Sequence, residues 1–222
     1  MRRTVVDDGF ASYLVQNANF DSKWEIPIIK NEEFEVPEDI IPFDKINRIN
    51  KLQREKTFVH FYMHDISFRK LITSTNKYVK DFRDFGGIIS PDFSLYIDMP
   101  LCLQLANTYL NRAVGVYMQN NGVKVIPNVR WGDSRTFDFC FSGLEKGGLY
   151  SISTHGCIKG FENKKRFKEG LREMINKLNP KSIIVHGSMP KDVFSSFINN
   201  IDFINYEAWI SRVMKGKSDG NK

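Results

Sequence analysis

Residues 85–133 read FGGIISPDFSLYIDMPLCLQLANTYLNRAVGVYMQNNGVKVIPNVRWGD. Gly86-Gly87 breaks the preceding element, and the β-branched Ile88 and Ile89 predict a strand over 87–90. Leu101, Leu105, Tyr109 and Ala113 recur every four residues, which predicts a helix over 99–119 with a broad apolar face. Asp98 suits its N-cap, Pro100 its first turn, and Asn120-Asn121-Gly122 its end. A second strand is predicted over 123–131. Pro127 has no N–H for a ladder, so that strand either ends near Ile126 or bulges and re-aims Asn128 and Arg130. The stretch is thus a β-α-β unit whose two strands run out into polar residues.

Reading outward, the same alternation continues. Residues 57–63 (TFVHFYM), 149–154 (LYSIST), 182–186 (SIIVH) and 203–206 are predicted strands. Helices are predicted over 68–82, 164–178, 191–199 and 207–215, with a short helix or turn near 137–144. Strands alternating with helices imply parallel pairing through right-handed crossovers. The expected fold class is α/β: a mostly parallel sheet, or a partial barrel-like wall, of five to six strands flanked by helices. Residues 20–43 differ. Three prolines among acids and large apolar residues predict an extended arm, docked through Trp24, Ile26, Ile28, Ile29, Ile40, Ile41 and Phe43. The expected organisation is an N-terminal arm over 1–50, one α/β domain over 51–215, and a disordered tail over 216–222.

An apolar fraction of 41% and 18 phenylalanines exclude an intrinsically disordered class. No apolar run has the length of a membrane span, and the N-terminus lacks a signal-like segment, so no membrane partner is expected. Three cysteines without pairing spacing fit a reducing cytoplasm. The net charge of +6 favours an anionic ligand or nucleic acid as partner. Neither a Walker-type loop nor a G-x-G-x-x-G is present.

In parallel α/β sheets, ligands bind at the carboxyl ends of the strands. Collecting those ends gives the candidate site. His155, His186 and Asp92 are the candidate acid–base residues. Ser90, Asn128, Arg130, Trp131 and Ser153 are candidate ligand contacts, with Arg130 suited to a phosphate. Asp92 and Asp133 could together hold a divalent metal such as Mg²⁺; the alternative is that both simply make turns. The basic run 164–168 reads either as a solvated helix face or as a nucleic-acid patch.

The blocks GGIISPDFSLYIDMP, VIPNVRWGD, FDFCFSGL and ISTHGC, in this order and spacing, resemble an uncharacterised family of phage and mobile-element proteins, domain-of-unknown-function family 4417. The resemblance implies a phage or mobile-element setting in a bacterial host cytoplasm. The functional expectation is binding of a nucleotide or nucleic-acid ligand at the strand-end rim, with metal-assisted phosphoester hydrolysis as its enzymatic form. The alternatives are a non-enzymatic protein that binds a host protein, as an inhibitor or counter-defence factor, and a DNA-binding replication accessory protein.

Overall fold

The computed structural model describes residues 11–33 and 35–219. Seven strands follow in chain order: β1 (Asp39–Pro42), β2 (Thr57–His60), β3 (Gly87–Ile89), β4 (Val125–Ile126), β5 (Leu149–Ser153), β6 (Ser182–His186) and β7 (Asp202–Tyr206). The helices are α1 (Lys51–Arg54), α2 (Asp65–Phe68), α3 (Lys70–Arg83), α4 (Leu101–Asn120), α5 (Phe161–Leu178), α6 (Lys191–Phe194) and α7 (Trp209–Asp219). The last of these extends into the stretch expected as a disordered tail; residues 1–10 of the arm and 220–222 lie outside the described residues.

Every strand pair is parallel. β1 to β4 form one sheet and β5 to β7 a second, each in sequential order. Pro127 explains the short β4: it withholds a donor, so the regular ladder stops at Ile126. Pairing resumes one residue later. Asn128 bridges to Ser151, the Val129 N–H donates to the Ser151 carbonyl (2.8 Å), and the Ser151 N–H donates to the Pro127 carbonyl (2.9 Å). The two sheets are therefore one sequential wall with a seam at proline.

That wall is strongly curled. Laid flat, β2 and β6 would stand roughly 19 Å apart, four strand spacings. Instead the rings of His60 on β2 and His186 on β6 lie 4.6 Å apart. Alternation sends Ile40, Phe58, Ile89, Ile126 and Ile184 into one buried interior cluster, joined by Leu149, Ile204 and Tyr206. The gap between β7 and β1 is spanned by side chains. Tyr206 Oη donates to the Pro37 carbonyl, and Arg212 from α7 reaches Asp39 (2.6 Å) and the Ile40 carbonyl (2.9 Å).

Outward-facing residues make two further clusters. Val59, Phe61 and Ile88 pack on Phe68, Leu71 and Phe82 of α2 and α3 and on Val114 of α4. Ile152, Ile183 and Val185 pack on Phe167, Leu171 and Met174 of α5 and on Phe194 of α6. The arm contributes to both clusters through Ile29 and Ile26, and Asp39–Pro42 at its end forms β1 itself. Its anchor is Gly143. This residue has φ +70°, its carbonyl accepts from Ile29 N–H (3.0 Å), and a Cβ there would sit 2.4 Å from the Pro27 carbonyl. Gly143→Ala is expected to cost about 3 kcal/mol in urea unfolding and to expose 20–33 to limited proteolysis. Unchanged stability would show that the arm does not depend on this close approach.

The helix start differs from expectation. The N-cap of α4 is Pro100, whose carbonyl accepts from Leu103 and Gln104 N–H; Asp98 makes no cap. Pro100 has ψ 138°, so the helix begins only after it, and Asp98 stays on the preceding loop. The buried face of α4 also differs. Leu101 and Leu103 are exposed, whereas Gln104, Thr108, Asn111 and Arg112 are buried. The polar face is the one that meets the strand ends.

Candidate functional site

Period-two alternation places His60 and, beyond it, Tyr62 toward the interior of the curled wall. Tyr62 Oη donates to Asn128 Oδ1 (3.1 Å) and lies 2.6 Å from Ser151 Oγ. Asn128 is held on every side. Its N–H donates to Ser90 Oγ (2.8 Å), and its Nδ2 donates to Asp92 Oδ1 (2.8 Å) and the Pro91 carbonyl (3.2 Å). The ends of β2, β3, β4 and β5 are thus tied into one polar lattice. Ser90, Asn128 and Ser151 are almost fully buried, so they build the wall behind the mouth.

The lattice leads outward to Arg130. Its Nη1 lies 3.7 Å from Asp92 Oδ2 and donates to Cys157 Sγ (2.9 Å). Burial raises the Asp92 pKa above the usual carboxylate value, with Arg130 and Asn128 pulling the other way. Burial works against the charge of Arg130, yet Asp92 and Cys157 hold its pKa above the ordinary guanidinium value. Burial also pushes the Cys157 thiol up, against the pull of Arg130. Burial, then the Asp92 charge, raises Tyr62 well above the phenol range.

His186 faces the same interior. Its Nδ1 is 3.0 Å from Ser153 Oγ, and its ring stacks on Tyr62 (centroids 4.7 Å apart, interplanar angle 16°). His60 Nδ1 accepts the Tyr62 N–H (3.2 Å), which fixes its hydrogen on Nε2. Burial, with the neighbouring His155 and Arg212, drives the His186 pKa down to about 3, and burial with His186 lowers His60 similarly in direction. His155 is exposed at the rim, its ring 6.1 Å from His186.

Two pockets open at this end of the wall. One of about 390 Å³ is lined by Leu95, Tyr96, Ile97, Asp98, Arg130, Trp131, Ser153, Cys157, Asn163, Arg166 and Phe167, among others. Trp131 contributes part of its wall while its ring packs on Phe141 and Phe167. Arg166 donates to Asn163 Oδ1 (3.0 Å), and its Nε is buried without a hydrogen-bond partner among the described residues. A second pocket, of about 640 Å³, lies across Gly156, between the ends of β5, β6 and β7.

Of the candidate residues, the fold brings Ser90, Asp92, Asn128, Arg130, Ser153 and His186 into one connected region, with His155 at its rim. Asp133 is occupied elsewhere: it caps the turn Ser134–Thr136, and its carboxylate binds Arg135 (2.8 Å). Among the described residues no three His, Cys, Asp or Glu side chains form a metal-binding group. Sequence reasoning missed His60, Tyr62 and Ser151 as members of the lattice. The alternation in TFVHFYM carried the signal for the first two. It also left open whether Arg166 belongs to a solvated face; its neighbours in the fold decide that it lines a pocket.

Comparison with known proteins places the chain in a lineage. The chain is 31% identical over 168 residues to the Gene 1 protein of Mycobacterium phage L5, covering 76% of this chain and 73% of that protein. It is 28% identical over 168 residues to the Gene 1 protein of Mycobacterium phage D29, covering 76% of this chain and 62% of that protein. No solved structure matches it. The family described as Domain of unknown function (DUF4417) matches residues 18–207, a span that includes every strand and every lattice residue. The chain is a phage protein and belongs to the DUF4417 family.

Proposed function

We propose that this protein binds a nucleotide, free or within nucleic acid, in the 390 Å³ pocket at the carboxyl ends of the strands. The observation that carries the reading is the pairing of two arginines, Arg130 and Arg166, with an apolar floor of Leu95, Ile97, Ile152 and Phe167. A flat ring bearing an anionic group satisfies both halves of such a site. The buried, unbonded Nε of Arg166 marks a donor that the described residues leave unused. Asp98, Asn163 and Ser153 offer polar contacts for the edge of a base. The chemistry available at the rim is proton transfer: His155 is the exposed imidazole, His186 lies behind it through Ser153, and Asp92 sets the position of Arg130. Phosphoester hydrolysis in a bacterial host cytoplasm is the reaction this arrangement suits. Asp92 pairs with Arg130 and Asp133 with Arg135, so each carboxylate already has a cationic partner.

Calorimetric titration with nucleoside monophosphates tests the reading. Wild-type protein is expected to bind, and Arg130→Gln and Arg166→Gln each to weaken binding about tenfold or more. Hydrolysis assays with Mg²⁺ are expected to lose activity in Asp92→Asn and keep it in Asp133→Ala. Loss in both would assign the metal role to the pair. Absence of binding by any nucleotide would overturn the proposal. It would favour the second reading, a protein-binding role for the mouth, which the exposed Tyr96, Leu101 and Leu103 support.

A further inference from the structure

The second pocket lies outside the one assigned to the mononucleotide, and its position is informative. Gly156 lines both pockets, and beyond its bare Cα there is open space, with no atom within 4 Å of where a Cβ would project. The two pockets therefore adjoin at Gly156, a low saddle of backbone that carries no side chain. The second has a mixed lining, with the polar Thr154, His155, Ser188, Asn205 and Ser211 beside the apolar Ile158, Pro190 and Ala208. It carries two ammonium groups and one carboxylate, Glu207. Lys164 is paired with Asp192 (2.7 Å), whereas Lys159 forms no ion pair among the described residues.

One aromatic ring has no role in the core. Phe161, at the first position of α5, is 78% exposed. In the chain it stands between Lys159, which lines the second pocket, and Asn163, which lines the first. An exposed ring beside a cation, next to a saddle between two cavities, has the composition of a single-strand binding groove: a stacking platform with backbone charge compensation. Tyr96, 53% exposed on the first pocket, offers a second platform.

We propose that the ligand is a single-stranded nucleic acid of at least two nucleotides. One nucleotide occupies the first pocket, the backbone crosses Gly156, and the next phosphate meets Lys159 while its base stacks on Phe161. This rests on the nucleotide-binding reading above, and the test separates the two.

Fluorescence anisotropy with a labelled oligothymidylate of about ten nucleotides is compared with calorimetry on thymidine monophosphate. The oligonucleotide is expected to bind about a hundredfold more tightly, with strong salt dependence. Phe161→Ala and Lys159→Glu, both at exposed positions, are each expected to weaken oligonucleotide binding about tenfold and to leave the monophosphate affinity unchanged. If the monophosphate binds but the oligonucleotide gains nothing, or both variants bind it like wild type, this inference fails and the first reading stands. If the monophosphate does not bind wild-type protein, the first reading fails, and this inference with it.

Discussion

Arg112→Met is expected to lower the unfolding free energy by about 3 kcal/mol, read as a fall in the urea midpoint at unchanged slope. Arg112 is 1% exposed and, among the described residues, forms no salt bridge. Its guanidinium instead donates to three backbone carbonyls: Asn128 (2.9 Å), Cys140 (2.9 Å) and Ser142 (3.2 Å). Burial lowers its pKa to about 10, so it remains charged at neutral pH. Methionine keeps the stem but strands three acceptors, each worth about 1–3 kcal/mol when buried without a partner. Relief from burying a charge offsets part of that loss. Lysine is expected to be no rescue, since one ammonium cannot fork across three carbonyls. The same residue ties α4 to the end of β4, so the variant should also loosen Asn128 and with it the Tyr62–Asp92 lattice. An unchanged midpoint would show that the carbonyls find other donors.

Acidification is expected to destabilise the fold, by at least about 2 kcal/mol between pH 7.5 and pH 5. His60 and His186 have folded pKa values below the unfolded value of 6.5, His186 at about 3. Below 6.5 the unfolded chain therefore binds protons that the folded chain refuses, and stability falls as pH drops toward the folded pKa. At 1.36 kcal/mol per unit, His186 accounts for about 2 kcal/mol at pH 5, and His60 acts in the same direction. The physical cause is burial, reinforced by Arg212 and by each imidazole's neighbours; protonating His60 would also turn its Nδ1 away from the Tyr62 N–H it accepts. Asp92 acts in the opposite direction. Its raised pKa gives stability that is present below 3.8 and is lost as pH rises through the folded value, so it offsets part of the loss on acidification. Urea midpoints at the two pH values check this, and the double variant His60→Gln with His186→Gln should flatten the difference. Equal midpoints in the wild type would show that these imidazoles protonate freely in the folded state.

Much of the architecture was legible from local pattern. β6 at Ser182–His186 coincides with SIIVH, and β5 with LYSIS, because short runs of β-branched and aromatic residues are a local strand signal. The strand ends carrying Ser90, Asp92, Asn128, Arg130 and Ser153 could be named because parallel order puts them all on one edge. The start of α4 could not be placed to the residue, since Asp98 and Pro100 both carry helix-start signals and only the backbone path of the loop chooses between them. Nor could β1 be recognised: DIIP is four residues long inside a proline-rich arm, and its pairing with TFVH is a contact across 18 residues.

The sequence by itself determined that this is an alternating β/α chain with a polar carboxyl edge, because periodicity and strand composition are local properties. It also contained the blocks that mark the family. Only the tertiary structure decided that the wall curls until β2 meets β6, since curvature is the sum of strand twist and of what the interior side chains can fill. That curvature gathers His60, Tyr62 and His186 into one buried cluster, and packing turns Arg166 from a member of a charge run into a pocket residue. Each of these depends on distances between residues far apart in the chain, which no local pattern encodes.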